Sequence, residues 1–423
     1  MLASRVRGER IDPTGVARAL RRTFADLGAT YVKFGQLVAS APSVFGPDIS
    51  AEFRSLLDEG HPVEFKRVLA EIEKGTGRPA RETFSDIDPE PIGRASVAVV
   101  HRARLRGGDE VAVKILRPGI ERKIAADLAI MGWLVPRIAS RVAGAQARLV
   151  RPLIDGLRTQ LCEELDLRNE GAIMTHFNHL LERVDLPSIA IPHVYGELSS
   201  RRVLVMEFLR GVPVDDLRSI EEHGIDPEPL VTDVVKGFFL TAVRYGIFHG
   251  DVHAGNLLLC EDGRIGVLDW GIVGRLAPED VEHLRAIIRA ALGDESAWEQ
   301  VCDRIAGQIG PLIVHRLGIS EEEVPTVIRS VLEPVLTRPF GEVNLSTLLL
   351  GPEELAGAGA SLTGAGGRAD DLPGFDGTFD RNMMLLAKQL LYFERYGQMY
   401  LQKLSLLSDR EFFEALISEP AHA

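Results

Sequence analysis

The sequence predicts an α+β fold, a small sheet-bearing region followed by a mostly helical one. Two runs rich in β-formers, Arg94 to Leu105 and Glu110 to Leu116, flank the turn Arg106-Gly107-Gly108-Asp109 and read as a hairpin. A second hairpin is expected from Leu257-Leu258-Leu259-Cys260, the turn Glu261-Asp262-Gly263 and the returning run Arg264 to Leu268. Elsewhere helices dominate, over 228–246 before the second hairpin and over 278–293, 296–308 and 320–336 after it.

Composition sets the class. A chain of 423 residues, 45% hydrophobic and 26% charged, can bury a core and has room for two or three domains or one enzyme with extensions. The formal net charge of −13 excludes general nucleic-acid binding, which rests on phosphate neutralisation. Residues 1–40 run against that balance, with Arg5, Arg7, Arg10, Arg18, Arg21, Arg22 and Lys33 set against only Glu9, Asp12 and Asp26. Such a start suits peripheral contact with an anionic membrane, or equally a solvated helix face. Cys162, Cys260 and Cys302 are too few and too scattered for a disulfide framework or a zinc site, and suit reduced thiols. No apolar signal-peptide core is present, and the most apolar window, Leu128 to Ala145, is broken by Pro136, Arg137 and Arg141. A cytoplasmic protein is expected, at most peripheral at the inner face of a membrane.

In chain order, 13–40 reads as helical from Val16, Leu20, Phe24, Leu27, Tyr31 and Phe34. Lys33 and Gln36, three apart, share a face there, either as a surface pair or as two polar groups reaching into a pocket. Short helices are expected at 49–59 and 64–74, and the sheet from about Pro91. In Val111-Ala112-Val113-Lys114-Ile115 an ammonium sits at the end of a buried β-branched run, costly unless paired, which points to function. Helices are expected at 119–148 and from Leu157 to Leu181. A continuous second helix places Glu163 and Glu170 on one face, Asp166 between them and Glu164 on the flank. One of these acids is expected to pair with Lys114, the alternative being a solvated acidic face. Strands are expected at 190–197 and 201–208, the latter running through Met206, Glu207 and Leu209 into a connection between lobes. The glycine-rich stretch 351–378 reads as a flexible loop. A last helix over 380–407 is expected to dock through Met383, Leu386, Leu390, Phe393 and Met399.

Chemistry concentrates in Phe248-His249-Gly250-Asp251-Val252-His253-Ala254-Gly255-Asn256 and in Leu268-Asp269-Trp270-Gly271. An acid, an amide five residues on, and a second acid in an Asp-aromatic-Gly triplet after a hairpin outline a phosphoryl-transfer loop. Such a site needs one carboxylate, Asp251, to accept or orient the nucleophile's proton. It also needs hard oxygen ligands for Mg²⁺, which Asn256 and Asp269 supply.

With these residues in place, the chain resembles the AarF/UbiB family of atypical kinases over most of residues 20–275. Lys33-Phe34-Gly35-Gln36 resembles the family's KxGQ motif, Glu164-Leu165-Asp166 its ExD motif, Pro91 to His101 its alanine-rich loop, and HGDVHAGN its catalytic loop. The resemblance implies a two-lobed protein-kinase-like fold with a helical N-terminal KxGQ extension (1–90), an N-lobe with a helical insertion (91–209) and a mostly helical C-lobe (210–423). It implies ATP and Mg²⁺ as cofactors. Glu170 is then the acid that pairs with Lys114, which holds the nucleotide phosphates. Gly93, Ala95 and Ser96 cover those phosphates, and the backbone of Glu207 to Leu209 meets the adenine edge. Lys33 and Gln36, facing Glu164 and Asp166, form a regulatory lid that restrains phosphorylation of other proteins.

The same resemblance implies an atypical kinase or ATPase that supports ubiquinone-type isoprenoid-quinone synthesis or lipid metabolism at a membrane, with a lipid or quinone intermediate as partner. Three departures stand out. Gly93-Arg94-Ala95-Ser96 replaces Ala-Ala-Ala-Ser, Val99-Val100-His101 replaces Gln-Val-His, and Asp269-Trp270-Gly271 replaces Asp-Phe-Gly, so that a larger ring is expected to pack between the lobes. Two other readings stand beside it, the first of them sharing the His-Gly-Asp loop. A small-molecule phosphotransferase of the aminoglycoside or choline type lacks paired KxGQ and ExD motifs. A nucleotide-gated scaffold that binds a lipid or a biosynthetic complex is the other: the intact set Lys114, Asp251, Asn256 and Asp269 argues against a dead pseudokinase and leaves open slow turnover that serves a conformational switch.

Overall fold

Alternation along residues 111–116 decides which way the buried lysine points. In the computed structural model, which describes residues 13–40, 49, 52–53, 62–142, 147–184, 186–342 and 381–418, helices α1 (Pro13–Leu27) and α2 (Ala29–Ser40) meet at Gly28, at φ 93°. After α3 (Phe65–Thr76) come β1 (Phe84–Arg94), β2 (Ala98–Leu105) and β3 (Glu110–Leu116), then α4 (Ile120–Val142), α5 (Ala147–Glu164) and α6 (Leu167–Arg183). The strands β4 (Ile189–Ala190), β5 (Val203–Glu207) and β6 (Gly211–Pro213) follow, then α7 (Leu217–His223) and α8 (Pro227–Tyr245). Next are β7 (Ile247–His249), β8 (Leu257–Cys260), β9 (Ile265–Val267) and β10 (Val273–Arg275). The chain closes with α9 (Pro278–Ala291), α10 (Glu295–Leu317), α11 (Val324–Thr337), α12 (Arg381–Tyr400) and α13 (Arg410–Ser418).

Contacts divide the chain into two units, Met1–Ile173 with His193–Phe208, and Met174–Pro192 with Leu209–Ala423. The first therefore joins the N-terminal helices to the β1-β2-β3-β5 sheet, which is antiparallel throughout. On one face of that sheet Val111, Val113, Ile115, Val203 and Val205 pack with Val68 and Ile72 of α3. The period of two then turns Ala112, Lys114 and Leu116 to the other face. Here α6 comes close. A Cβ at Gly171 would lie 3.1 Å from Leu204 Cδ1, and Leu204 is the ladder partner of Lys114. Glycine at 171 thus lets the neighbouring Glu170 reach the lysine.

In the second unit, β4-β9-β8-β6 form a small sheet, and β7 and β10 form a separate antiparallel ribbon. Helix α8 starts on Asp226, whose side chain accepts from Glu228 N–H, and stops at Gly246, at φ 64°. It is buried on most of its surface, where Phe238 and Phe239 meet Phe248, Phe393 and Phe413 edge to face.

Several elements differ from expectation, each for a local reason. The sheet begins at Phe84 rather than near Pro91. The expected strand from Arg94 to Leu105 is the end of β1 and all of β2, separated where Ala95 N–H bonds Ala98 O. The expected helix from Leu157 to Leu181 is two helices, because Asp166 accepts from Arg168 N–H and caps α6. The expected strand at 190–197 is reduced to β4 and a 3₁₀ turn, Gly196–Leu198. The last long helix stops at Tyr400, and β6, β7 and β10 were not foreseen. Most of the helix expected at 49–59, the loop at 351–378, and Arg5, Arg7 and Arg10 lie outside the described residues. Among the described residues no helix is long and apolar enough to cross a membrane.

Candidate active site

In the first unit Lys114 Nζ lies 2.7 Å from Glu170 Oε1, with side chains only 11% and 6% exposed. Of the four acids on the expected helix, Glu170 is the one the structure brings to the lysine. The break between α5 and α6 sends the others elsewhere. Glu164, at the end of α5, meets Lys33 at 3.2 Å and accepts from Gln160. Helix α2 is tied down beside it by a hydrogen bond from buried Thr30 to Asp127, 2.8 Å. Asp166 is held by Arg168 at 2.6 Å, a contact that also keeps its carboxyl below the usual carboxylate range. The expectation that both acids of Glu164-Leu165-Asp166 serve Lys33 is therefore revised: Asp166 is a helix cap gripped by its own neighbour. Gln36 lies partly buried on the same helix as Lys33.

The segment expected to cover phosphates is tightly built. Gly93 sits in the β1–β2 ladder opposite Val100, and Ser96 is buried. Ala95 uses its N–H on Ala98 O and its carbonyl on the Arg117 guanidinium, while Arg117 N–H bonds Val97 O. In this conformation the Ala95 N–H is therefore spent inside the loop rather than offered to an anion. A similar account applies to the expected adenine edge. The Glu207 N–H donates to His193 O and the Phe208 N–H to Glu110 O. The Glu207 carboxylate accepts from His193 N–H. The side chain of Leu209 packs with Ala190 and Cys260 in the second unit.

In the second unit one buried histidine ties the two acidic loops together. His249 Nδ1 accepts from Asp251 N–H at 3.0 Å, and Nε2 donates to Asp269 O at 2.6 Å. Those partners define the neutral Nε2–H tautomer, and burial pushes the imidazole pKa down. The loops also meet through the ribbon, where Gly250 N–H bonds Ile272 O and a Cβ at Gly250 would stand 2.6 Å from Ile272 Cγ2. Asn256, buried, donates from Nδ2 to Asp251 O at 3.0 Å, which directs Oδ1 away as an acceptor. Leu268 N–H bonds Asn256 O, so the β8–β9 hairpin returns Asp269 to the end where Asn256 sits. Asp269 Oδ1 accepts from Gly271 N–H. Trp270 was expected between lobes. It is buried, its ring tilted against Phe177 and edge-on to His249 at 4.4 and 4.5 Å between centroids, with its indole N–H on Val267 O.

The residues that sequence reasoning missed lie on α12. Lys388 Nζ is 2.7 Å from Asp251 Oδ1, and Tyr392 lies near that carboxylate: burial first, then this negative charge, raises the phenol pKa. Gln389 Oε1 accepts from Val252 N–H, Tyr396 donates to Val252 O, and Tyr400 donates to Val214 O. A signal was present: Lys388, Tyr392, Tyr396 and Tyr400 recur every four residues and form one polar stripe. Apolar residues had drawn the reading to other positions of this helix. Of these, Leu386 and Phe393 are buried as expected, while Met383 lies among residues whose side chains are not described.

The donor set suits one kind of metal. Among the described residues no three His, Cys, Asp or Glu side chains converge into a cage. Asn256 Oδ1 and the Asp269 carboxylate offer two hard oxygens. That fits Mg²⁺, which takes one or two protein ligands and fills its octahedron with water and phosphate oxygens.

A family model described as the ABC1 atypical kinase-like domain matches residues 55–301. The chain is similar to an uncharacterized aarF domain-containing protein kinase of the chloroplast from Arabidopsis thaliana, 34% identical over 404 residues, covering 92% of this chain and 73% of the relative. It is similar to the probable protein kinase UbiB of Pseudomonas putida, 33% identical over 356 residues, covering 80% of this chain and 62% of the relative. Among solved structures, the complex of Rv3197 with erythromycin from Mycobacterium tuberculosis is 25% identical. It covers 82% of this chain and 84% of that one, with a TM-score of 0.54.

Proposed function

The chain belongs to the ABC1 atypical kinase-like family and has a kinase-like α+β fold, and from that premise we propose that it is a Mg-ATP-dependent kinase or ATPase. The observation that carries the reading is His249, which binds the Asp251 loop and the Asp269 loop through one ring. A ring locked in one tautomer by two backbone partners fixes two carboxylate-bearing segments at a set spacing, which in-line phosphoryl transfer requires. Asn256 and Asp269 are the metal ligands. Mg²⁺, when bound, neutralises charge on the β- and γ-phosphates. Lys114, oriented by Glu170, takes phosphate oxygens, and Asp251 orients a hydroxyl or water. With the N–H groups of Glu207 and Phe208 already engaged, recognition of the adenine edge falls to Leu209 and to backbone carbonyls.

The reading extends to regulation and setting. The ion pair of Lys33 with Glu164 supports a lid role for α2. Work on isoprenoid quinones or lipids at a membrane is supported by the likeness to UbiB, and by exposed apolar residues next to basic ones. Leu20 and Leu27 of α1 are exposed beside Arg18 and Arg22, and Ile130, Trp133 and Leu134 form an exposed stripe on α4. The test is a thermal-shift titration with Mg-ATP on wild type and Asp269→Asn, with ATP hydrolysis by wild type and Asp251→Asn in the presence and absence of anionic liposomes. The expected result is a Mg-dependent shift lost in Asp269→Asn and turnover lost in Asp251→Asn. An equal shift in Asp269→Asn refutes the metal assignment, and hydrolysis that survives Asp251→Asn refutes the role of Asp251.

A further inference from the structure

Asp251 carries a cation that neither loop motif supplies. The Lys388 ammonium sits on Oδ1 at 2.7 Å, and its side chain keeps 39% exposure, so it is bonded and reachable at once. Its position does not depend on a flexible stem alone. One residue on, buried Gln389 accepts the Val252 N–H, and two turns on, buried Tyr396 takes the Val252 carbonyl. Helix α12 thus grips the residue next to Asp251 by both of its backbone groups.

A partly exposed ion pair adds little to stability, so stability does not explain why this lysine is aimed at this carboxylate. Phosphoryl transfer does. An acceptor oxygen bonded to Asp251 must lie about 3–3.5 Å from phosphorus to attack. An ammonium on the same carboxylate is then within hydrogen-bonding reach of the phosphoryl oxygens, where charge is spread in a loose transition state and where a fixed cation is most useful.

Resting on the functional reading above, we propose that Lys388 is a phosphoryl-binding residue. It exchanges its bond to Asp251 for one to a γ-phosphoryl oxygen of the bound nucleotide, and so frees Oδ1 for the acceptor. In the transfer the acceptor O–P bond forms and the bond from the γ-phosphorus to the bridging oxygen breaks. The acceptor's proton passes to Asp251, and ADP leaves.

The experiment compares Mg-ATP and Mg-ADP affinity, by calorimetric titration, and ATP turnover in wild type, Lys388→Met and Lys388→Arg, with melting curves to show that each is folded. The expected result is that Lys388→Met loses about tenfold in affinity for Mg-ATP and keeps that for Mg-ADP, as loss of one charge-assisted hydrogen bond requires. Its turnover falls by about 10²–10³, and Lys388→Arg recovers part of both. Unchanged ATP affinity, equal weakening of both nucleotides, or faster turnover in Lys388→Met overturns the proposal, the last by making the lysine a plug. A wild type that binds neither nucleotide overturns the functional reading, and this inference falls with it.

Discussion

The Lys114–Glu170 pair allows a test in which stability and function give separate answers. The ammonium and carboxylate are 2.7 Å apart with side chains 11% and 6% exposed. Each ion has lost most of its hydration, and the other offsets part of that loss. Lys114→Met alone leaves a buried carboxylate without its cation, and Glu170→Leu alone leaves a buried ammonium; either costs about 3–5 kcal/mol. The double variant removes both members of this pair together. Replacing a buried pair by apolar side chains of similar volume is close to neutral, so it should sit within about 1 kcal/mol of wild type. At roughly 2–4 °C per kcal/mol for a unit of this size, the single variants melt on the order of 10 °C lower, and the double variant only a few degrees lower. Thermal melting followed by circular dichroism reads this directly. Additive losses, with the double variant melting lower than either single, would refute the coupling. Under the proposed function all three variants should lose the stabilisation by Mg-ATP, so a double variant that is stable yet blind to nucleotide separates the pair's proposed nucleotide-binding role from its structural cost.

Lys33→Ala removes the partner of Glu164 at the α2–α5 contact, and the lid reading expects a several-fold change in ATP affinity or hydrolysis; a titration and a rate that both match wild type would discard the lid. His249 gives a pH signature. Burial lowers its native pKa below that of a free imidazole, about 6.5, so the unfolded chain takes up a proton first, and the stability it contributes is full above about pH 6.5 and lost as pH falls. Melting temperatures measured from pH 7.5 to 5.5 should decline, and His249→Gln should flatten that decline; an identical slope in the variant would refute it.

What could be read in the sequence was whatever local spacing determines. The period of two put Lys114 on the face opposite Val113 and Ile115, and the turn at Glu261-Asp262-Gly263 announced the hairpin that returns Asp269 towards Asn256. What stayed hidden depended on chain reversals or on distant partners. Asp166 was read as one more helical acid because a continuous period was assumed, although an aspartate before Leu-Arg-Asn-Glu is an ordinary helix cap. The N–H groups of Ala95, Glu207 and Phe208 looked available for nucleotide because only the folded ladder shows where backbone donors go. Lys388 lies 137 residues from Asp251, and no local pattern reports a contact of that span.

That long-range contact changes what the Asp251 loop consists of. Asp251 is held from one side by His249, whose ring also carries Asp269 O, and from the other by α12 through Lys388 and the two bonds to Val252. Disturbing either side reaches the same carboxylate by a different route. Loss of His249 lets the two acidic loops part and, under the proposed function, should weaken Mg-ATP and Mg-ADP alike, since the proposed ligand Asp269 moves with its loop. Loss of the Lys388 charge leaves both loops in register and should be felt only where a γ-phosphate is present. The ratio of the two nucleotide affinities, rather than either affinity alone, is therefore what tells a displaced loop from a missing cation.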